Sequence, residues 1–119
     1  MSVNIDNVEE FLASELKLSQ EESKAFLFIV KNGRNHTEKI AQALKFSEEE
    51  ANKAAKSLVE KGMIINISLS EYESLHPRFA ISNRYRRLCE ENNITFKKNP
   101  LIDNIGIILE RPFEDARTK

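Results

Sequence analysis

The chain has 119 residues, which is enough for one compact domain and too few for two ordinary ones. Its 18 Lys and Arg residues almost balance 19 Asp and Glu residues, and the formal net charge of −1 argues against a nonspecific coat on nucleic acid. One Cys, two His and three Gly leave little material for a metal cage or a glycine-rich phosphate loop. We therefore expect no enzyme, no cofactor and no metal.

The cysteine content and the amino terminus indicate a cytoplasmic protein. Cys89 is the single cysteine, so it cannot form an internal disulfide and fits a reducing compartment. Residues 1–16 lack the basic start and the apolar stretch of a signal peptide, and no apolar run approaches the ~18 residues of a membrane helix. We expect no association with a membrane.

The near-zero net charge conceals two basic segments. Residues 31–46 carry four basic side chains and one acidic one, and residues 77–99 carry six basic and two acidic ones. Residues 1–30, in contrast, have a net charge of −4. Grouped cations of this kind favour an anionic partner.

The first half of the chain is predicted to be helical, with helices at residues 5–16, 20–32, 37–44 and 48–61. Apolar residues recur at the spacing of three and four that marks a buried helix face. Residues 19–22 and 47–50 both have the Ser-x-x-Glu form of a capping box, which marks a helix start. Gly33 and Gly62 can close the second and fourth helices in the left-handed conformation.

After Gly62 the pattern predicts a β-hairpin and then another helix. Residues 63–67 are rich in β-branched side chains, residues 78–81 form a plausible return strand, and the polar stretch 68–77 is the expected tip. A helix is expected from about residue 82 to residue 91. Residues 100–111 fit a helix or a strand, and their apolar patch must pack on the chain itself or on a second subunit.

Three segments of the sequence resemble a known family of regulators. Residues 18–27 (LSQEESKAFL) and 36–44 (HTEKIAQAL) look like the start of the archaeal TrmB-like and MarR-like transcription regulators, and residues 57–64 (SLVEKGMI) are similar to the segment joining recognition helix to wing. The resemblance covers about residues 16–90. It implies a mostly helical α+β fold, a winged helix-turn-helix with a two-stranded wing and an additional C-terminal segment.

The residues themselves predict a domain division, and the resemblance implies a function. A winged-helix domain would occupy residues 1–98, and residues 99–119 would form an apolar extension, for which the apolar patch motivates the hypothesis of a dimerisation segment. The chain would be a transcription regulator that reads double-stranded DNA with helix 48–61 in the major groove and wing 63–81 near the backbone. The ligand-binding domain that follows this module in many TrmB-like proteins is missing, so we do not expect sugar sensing.

The expected DNA-binding residues lie on the recognition helix and in the two basic segments. Asn52, Lys53 and Lys56 are on or beside the outward face of helix 48–61, where they could reach base edges or phosphates. The predicted phosphate contacts are Arg34, Lys39, Arg78, Arg84 and Arg87.

A competing interpretation is a winged-helix module that binds a protein and makes no direct DNA readout. Glu48, Glu49 and Glu50 would repel phosphate at the helix start, although they also suit the positive end of the helix dipole. Glu49 and Glu60 stand four residues from Lys53 and Lys56, so intrahelical ion pairs are expected to occupy both lysines. Glu71 and Glu73 place negative charge at the expected wing tip.

Overall fold

The computed structural model describes residues 3–118, and this part of the chain forms six helices and three short strands. In chain order they are α1 (Val8–Glu15), α2 (Gln20–Asn32), β1 (Asn35–His36), α3 (Thr37–Leu44), α4 (Glu48–Glu60), β2 (Ile64–Ser68), β3 (Glu71–Ser74), α5 (Pro77–Glu91) and α6 (Pro100–Arg117). No helix in the described range is both long and apolar enough to cross a bilayer. The α+β winged-helix fold predicted from the sequence is confirmed.

Both predicted capping boxes form and set the starts of α2 and α4. The Ser19 hydroxyl accepts the Glu22 N–H at 3.1 Å, and the Glu22 carboxylate accepts the Ser19 N–H at 2.7 Å. Ser47 and Glu50 make the same reciprocal pair at 3.0 and 2.9 Å. Each box satisfies backbone donors that the first turn of a helix leaves open, so these boundaries are encoded locally.

The core lies where α2 meets α4 and α6. Phe26 and Ile29 of α2 are fully buried, and the stripe of α4 that faces the core begins with the fully buried Ala51 and continues through Ala54 and Ala55. Small side chains on this stripe let the two helices approach closely. The opposite face of α4 is therefore directed toward solvent.

The sheet is antiparallel in the order β1-β3-β2, so the wing hairpin gains a third strand. Asn35 pairs with Tyr72 and His36 with Glu71, which ties the start of α3 to the wing. The pairing of β2 with β3 shifts between Asn66 and Ser68, where the ladder has a bulge. β2 forms an edge of the sheet.

The predicted return strand at residues 78–81 and the wing boundary at residue 81 are wrong. The return strand is β3 at Glu71–Ser74, and residues 77–91 form α5. Proline fixes φ near the helical value and lacks an N–H, so Pro77 suits the first position of a helix. The His76 imidazole accepts the Arg78 N–H at 3.2 Å and caps that helix.

Residues 100–117 form a single helix that packs on the rest of the chain. The Asn99 side chain caps its start, and Ile102, Ile105 and Leu109 are buried against the body. Pro112 lies inside this helix rather than ending it. The apolar patch of the C-terminal segment is therefore largely covered within one chain by α5, α2 and α1.

Candidate nucleic-acid interface

Helices α3 and α4 form the helix-turn-helix. Lys45 ends α3 in the left-handed conformation, with φ 61°, and the Phe46 N–H donates to the Ala41 carbonyl at 2.9 Å. Ser47 then caps α4. The two helices pack on each other across this short connection, which fixes the angle at which α4 is presented.

The outer face of α4 carries two exposed lysines. Lys53 and Lys56 are exposed, and Asn52 at the edge of the face is half-buried. Within residues 3–118, neither lysine has a carboxylate within 4.0 Å, so the expected ion pairs with Glu49 and Glu60 are absent. Both ammonium groups are therefore available to an external anion.

Of the three glutamates at the start of α4, one caps the helix and two are exposed to solvent. Glu50 is used by the capping box, whereas Glu48 and Glu49 are exposed. Their charges are favourable next to the positive end of the helix dipole. They still stand at the end of the face that a recognition helix turns toward base edges.

A groove of about 410 Å³ runs along the α2 side of α4. Its charged lining includes Glu21, Glu22 and Glu50 as well as Lys53 and Lys61. The carboxylates outnumber the ammonium groups there. The excess of carboxylates makes this side of α4 unfavourable for an approaching polyanion.

The Glu22 carboxylate is a buried junction between α2 and α4 that the sequence interpretation missed. Besides closing the capping box, it accepts hydrogen bonds from the Ser57 hydroxyl and from Lys61 Nζ. Lys61 also donates to Ser57 at 3.0 Å. Ser57 is half-buried at this junction, so the exposed outer face of α4 does not extend to it.

Opposing effects act on the pKa of Glu22. Burial raises this pKa by disfavouring the charged carboxylate, while the hydrogen bonds from Lys61, Ser19 and Ser57 and the charge of Lys61 lower it. Together the interactions outweigh burial, and the pKa lies below its ordinary value. Glu22 is thus charged at neutral pH and holds the C-terminal half of α4 to the start of α2.

The wing carries its acidic residues on β3 rather than at its tip. Glu73 lies 3.8 Å from Arg34 and 3.3 Å from Arg117, and Glu71 lies 3.8 Å from His36. The turn at the tip is Leu69 and Ser70, with Leu69 fully exposed, and Glu71 pairs with Ser68 directly beside it. The expected negative charge thus lies next to the tip at Glu71, whereas Glu73 lies farther along β3. Arg34, a predicted phosphate contact, already faces the Glu73 carboxylate.

The three arginines of α5 that were predicted to contact phosphates differ in exposure and in their partners. Arg84 is 5% exposed, donates to the Leu16 carbonyl at 2.9 Å and lies 3.4 Å from Glu91, so it is a structural residue and not a phosphate contact. Arg78 is exposed at the crossing of α5 with α6, with its Nε 2.6 Å from Glu110.

The remaining two basic positions keep accessible charges. Arg87 is exposed, and its guanidinium lies against Gly62 at the junction of α4 and the wing. Lys39 is exposed on α3 and has no ion pair in the described range. The structure therefore gathers Asn52, Lys53, Lys56 and Lys39 on the packed pair α3 and α4, with Arg34 and Arg87 on neighbouring segments.

A set of side chains with metal-ligating chemistry lies apart from this face. Ligand atoms of His76, Glu110 and Glu114 fall within 4.8 Å of one another. However, His76 Nδ1 accepts the Arg78 N–H, which leaves the proton of a neutral imidazole on Nε2, and Glu110 is already paired with Arg78. We interpret the set as a helix cap with its ion pair, since metal binding through Nε2 would break the cap.

Comparison with known proteins identifies the region that contains the helix-turn-helix. A family model described as sugar-specific transcriptional regulator TrmB matches residues 12–79, from the second half of α1 through β3 to the first turn of α5. No curated protein and no solved structure matches the chain.

Proposed function

Because the chain belongs to the TrmB family of sugar-specific transcriptional regulators, we propose that it binds double-stranded DNA as a homodimer, with α4 in the major groove. One observation carries the proposal: Lys53 and Lys56 stand exposed and unpaired, within the described residues, on the outer face of the second helix of the motif. The buried free thiol of Cys89 is compatible with action in the cytoplasm.

We assign separate roles to the residues of this face. The Asn52 amide can pair with adenine, and Lys53 and Lys56 contact phosphates or guanine edges. Lys39 in the first turn of α3 and Arg34 just before β1 contact the flanking phosphates. For Arg34 this contact replaces the 3.8 Å pair with Glu73, which is long enough to exchange at little cost.

Two α5 residues extend the proposed phosphate contacts beyond the helix-turn-helix. Arg87 lies at the junction between α4 and the wing, so it accompanies α4 to the DNA. Arg78 would have to break its ion pair with Glu110 to contact a phosphate. Arg84 takes no part, because its guanidinium is buried.

A salt titration of DNA binding tests the proposal. If about five phosphates are contacted, the logarithm of the affinity for mixed-sequence duplex DNA falls with the logarithm of the salt concentration at a slope of about −4 to −5. Lys53→Ala/Lys56→Ala should weaken binding and reduce the magnitude of the slope by about 2. The matched control is Lys17→Ala/Lys31→Ala, which removes two exposed cations outside the face. Binding that does not respond to salt contradicts the proposal.

A second candidate function is protein binding through the same face. The observation favouring it is the pair of exposed carboxylates Glu48 and Glu49 at the leading end of α4. A basic protein surface would complement these charges, whereas DNA would not. Charge reversal at the two positions separates the candidates.

A further inference from the structure

The Glu73 carboxylate on β3 is shared by two arginines from distant parts of the chain. Its Oε1 lies 3.3 Å from Arg117 Nη2 at the end of α6, and its Oε2 lies 3.8 Å from Arg34 Nη2 just before β1. This set, which we call the Glu73 triad, links the C-terminal helix to the wing and to the segment that leads into α3. It holds two positive charges and one negative charge, so a net positive charge remains for an external anion.

Arg117 is the anchored cation of the Glu73 triad. Its side chain is 25% exposed, and its Nη1 donates to the Phe113 carbonyl at 2.9 Å. Its guanidinium carbon lies 3.5 Å from the centroid of the Phe113 ring. Its Nη2 lies 3.5 Å from the Ser74 carbonyl, next to the contact with Glu73. These contacts fix the guanidinium beside β3 before any ligand binds.

Glu73 supplies the charge that compensates this arginine. Burial lowers the pKa of the Arg117 guanidinium, while the charge of Glu73 and a hydrogen bond to it raise that pKa. Among the described residues, Arg117 has no other carboxylate within 4.0 Å. A partly desolvated cation loses more than an exposed one when its partner leaves, so Glu73 is held mainly by Arg117.

Arg34 is the loosely held cation of the triad. Its side chain is 53% exposed, and the 3.8 Å contact with Glu73 is the one ion pair that it makes within residues 3–118. Exposed ion pairs contribute little to stability, because solvent and other ions replace them readily. Arg34 can therefore leave Glu73 for a phosphate while Arg117 stays on the carboxylate.

We propose that Arg117 is a positioning residue for DNA binding, because by holding Glu73 it keeps Arg34 available for a phosphate. Without Arg117, the full charge of Glu73 acts on Arg34, and the resulting pair competes with the phosphate contact. This inference rests on the DNA contact proposed for Arg34. It adds the end of α6, which lies outside the matched residues 12–79, to the determinants of that contact.

A double-mutant cycle on the full chain tests this role. Arg117→Gln should weaken the affinity for duplex DNA by about two- to fivefold, the range of an exposed ion pair. The matched control is Arg111→Gln, which removes the same charge from an exposed position of α6 without an ion pair in the described range. In a Glu73→Gln background, Arg117→Gln should cost no more than Arg111→Gln, because the carboxylate that would capture Arg34 is gone. Arg117→Lys should recover most of the affinity, since its ammonium can still pair with Glu73.

A second measurement needs no DNA. Nitrogen-15 relaxation of the Arg34 Nε–H should show a more ordered side chain in Arg117→Gln than in the wild type or in Arg111→Gln, because Glu73 then has one guanidinium instead of two. An equal loss of DNA affinity in both Glu73 backgrounds, or an Arg34 side chain that is no more ordered without Arg117, overturns the inference. Salt-dependent DNA binding without this coupling overturns only the role of Arg117, whereas a protein that does not bind DNA overturns the proposed function and this role with it.

Discussion

At the scale of single residues, Glu22 is the side chain whose loss should matter most to the placement of α4. One carboxylate closes the α2 capping box through Ser19 and accepts bonds from Ser57 and Lys61 on the other helix. Its side chain is 8% exposed and that of Lys61 is 22% exposed. Removing one partner of such a pair leaves the other desolvated and uncompensated.

We predict that Glu22→Gln lowers the free energy of unfolding by about 1 to 3 kcal/mol at neutral pH, measured by urea denaturation. The amide cannot accept a charge-assisted bond from Lys61 as the carboxylate does. Glu21→Gln is the control, because Glu21 is in the same turn and has no ion pair in the described range. Equal losses in both variants would contradict the role of Glu22.

The pH dependence of the same pair has a definite sign. Since the folded-state pKa of Glu22 is lowered from its ordinary value of 4.5, the carboxylate contributes stability above that pH, and the contribution is lost as pH falls through the folded pKa. The stability difference between wild type and Glu22→Gln should therefore shrink as the pH falls below about 4.5. A difference that grows on acidification would contradict a lowered pKa for Glu22.

At the scale of the element, the exposed Glu48 and Glu49 at the start of α4 suit the helix dipole but weaken the attraction of this face for DNA. Reversing Glu48 and Glu49 to Lys removes the repulsion and leaves Glu50 in the capping box. We predict that the double variant binds duplex DNA at least several-fold more tightly than the wild type, measured by titration at fixed salt. The reason is that two repulsive charges on the reading face become attractive.

The control for this variant makes the same change in net charge elsewhere. Asp6→Lys/Glu10→Lys alters two exposed acids near or on α1. If both double variants gain equally, α4 does not face the DNA. If Glu48→Lys/Glu49→Lys gains nothing and loses a protein partner in a pull-down, the protein-binding candidate is supported.

The elements that could be predicted from the sequence are those whose boundaries are encoded by neighbouring residues. α2, α3 and α4 begin within one residue of the predicted positions, and two of those starts are capping boxes completed within four residues. The predicted second strand of the wing is wrong because the short apolar run at residues 79–81 fits a strand and a buried helix turn equally well. Pro77 was the signal that would have placed the start of α5.

The tertiary features of the site could not be read from local pattern. Glu22 and Lys61 are 39 positions apart, and Arg84 bonds to a carbonyl 68 positions away. Arg84 stands four and three residues after the buried Ala80 and Ile81, so helical spacing places it on the core side of α5, but it does not reveal which carbonyl accepts its hydrogen bond. The contact of Glu73 with Arg117 likewise depends on how α6 returns to the sheet, and its contact with Arg34 depends on the pairing of β1 with β3.

At the scale of the whole molecule, α6 completes the core and is not an appendage. Leu109 is fully buried, and Gly106 allows α6 to approach α5 so closely that a Cβ there would lie 3.3 Å from the Arg78 Cα. Leu109→Ala should reduce the free energy of unfolding by about 2 to 5 kcal/mol through the lost contacts and the cavity. Denaturant unfolding measures the loss.

Ile107→Ala on the same helix provides the control, because this side chain is 47% exposed. Its effect should stay within about 0.5 kcal/mol. Comparable losses at both positions would contradict the orientation of α6. By the same reasoning, deleting residues 99–119 would unfold the protein and could not be used to test dimerisation.

The two-residue strand β1 has a consequence for how far assembly can proceed. A sheet with two open edges can add copies without limit and become a fibre, and residues 63–70 have the apolar, uncharged composition of segments that do so. In this fold β1 already occupies the far side of β3 and is flanked by the charged Arg34. On the opposite side Ile64 is almost fully buried and a bulge follows Asn66, so neither margin offers a regular ladder to which further strands could add.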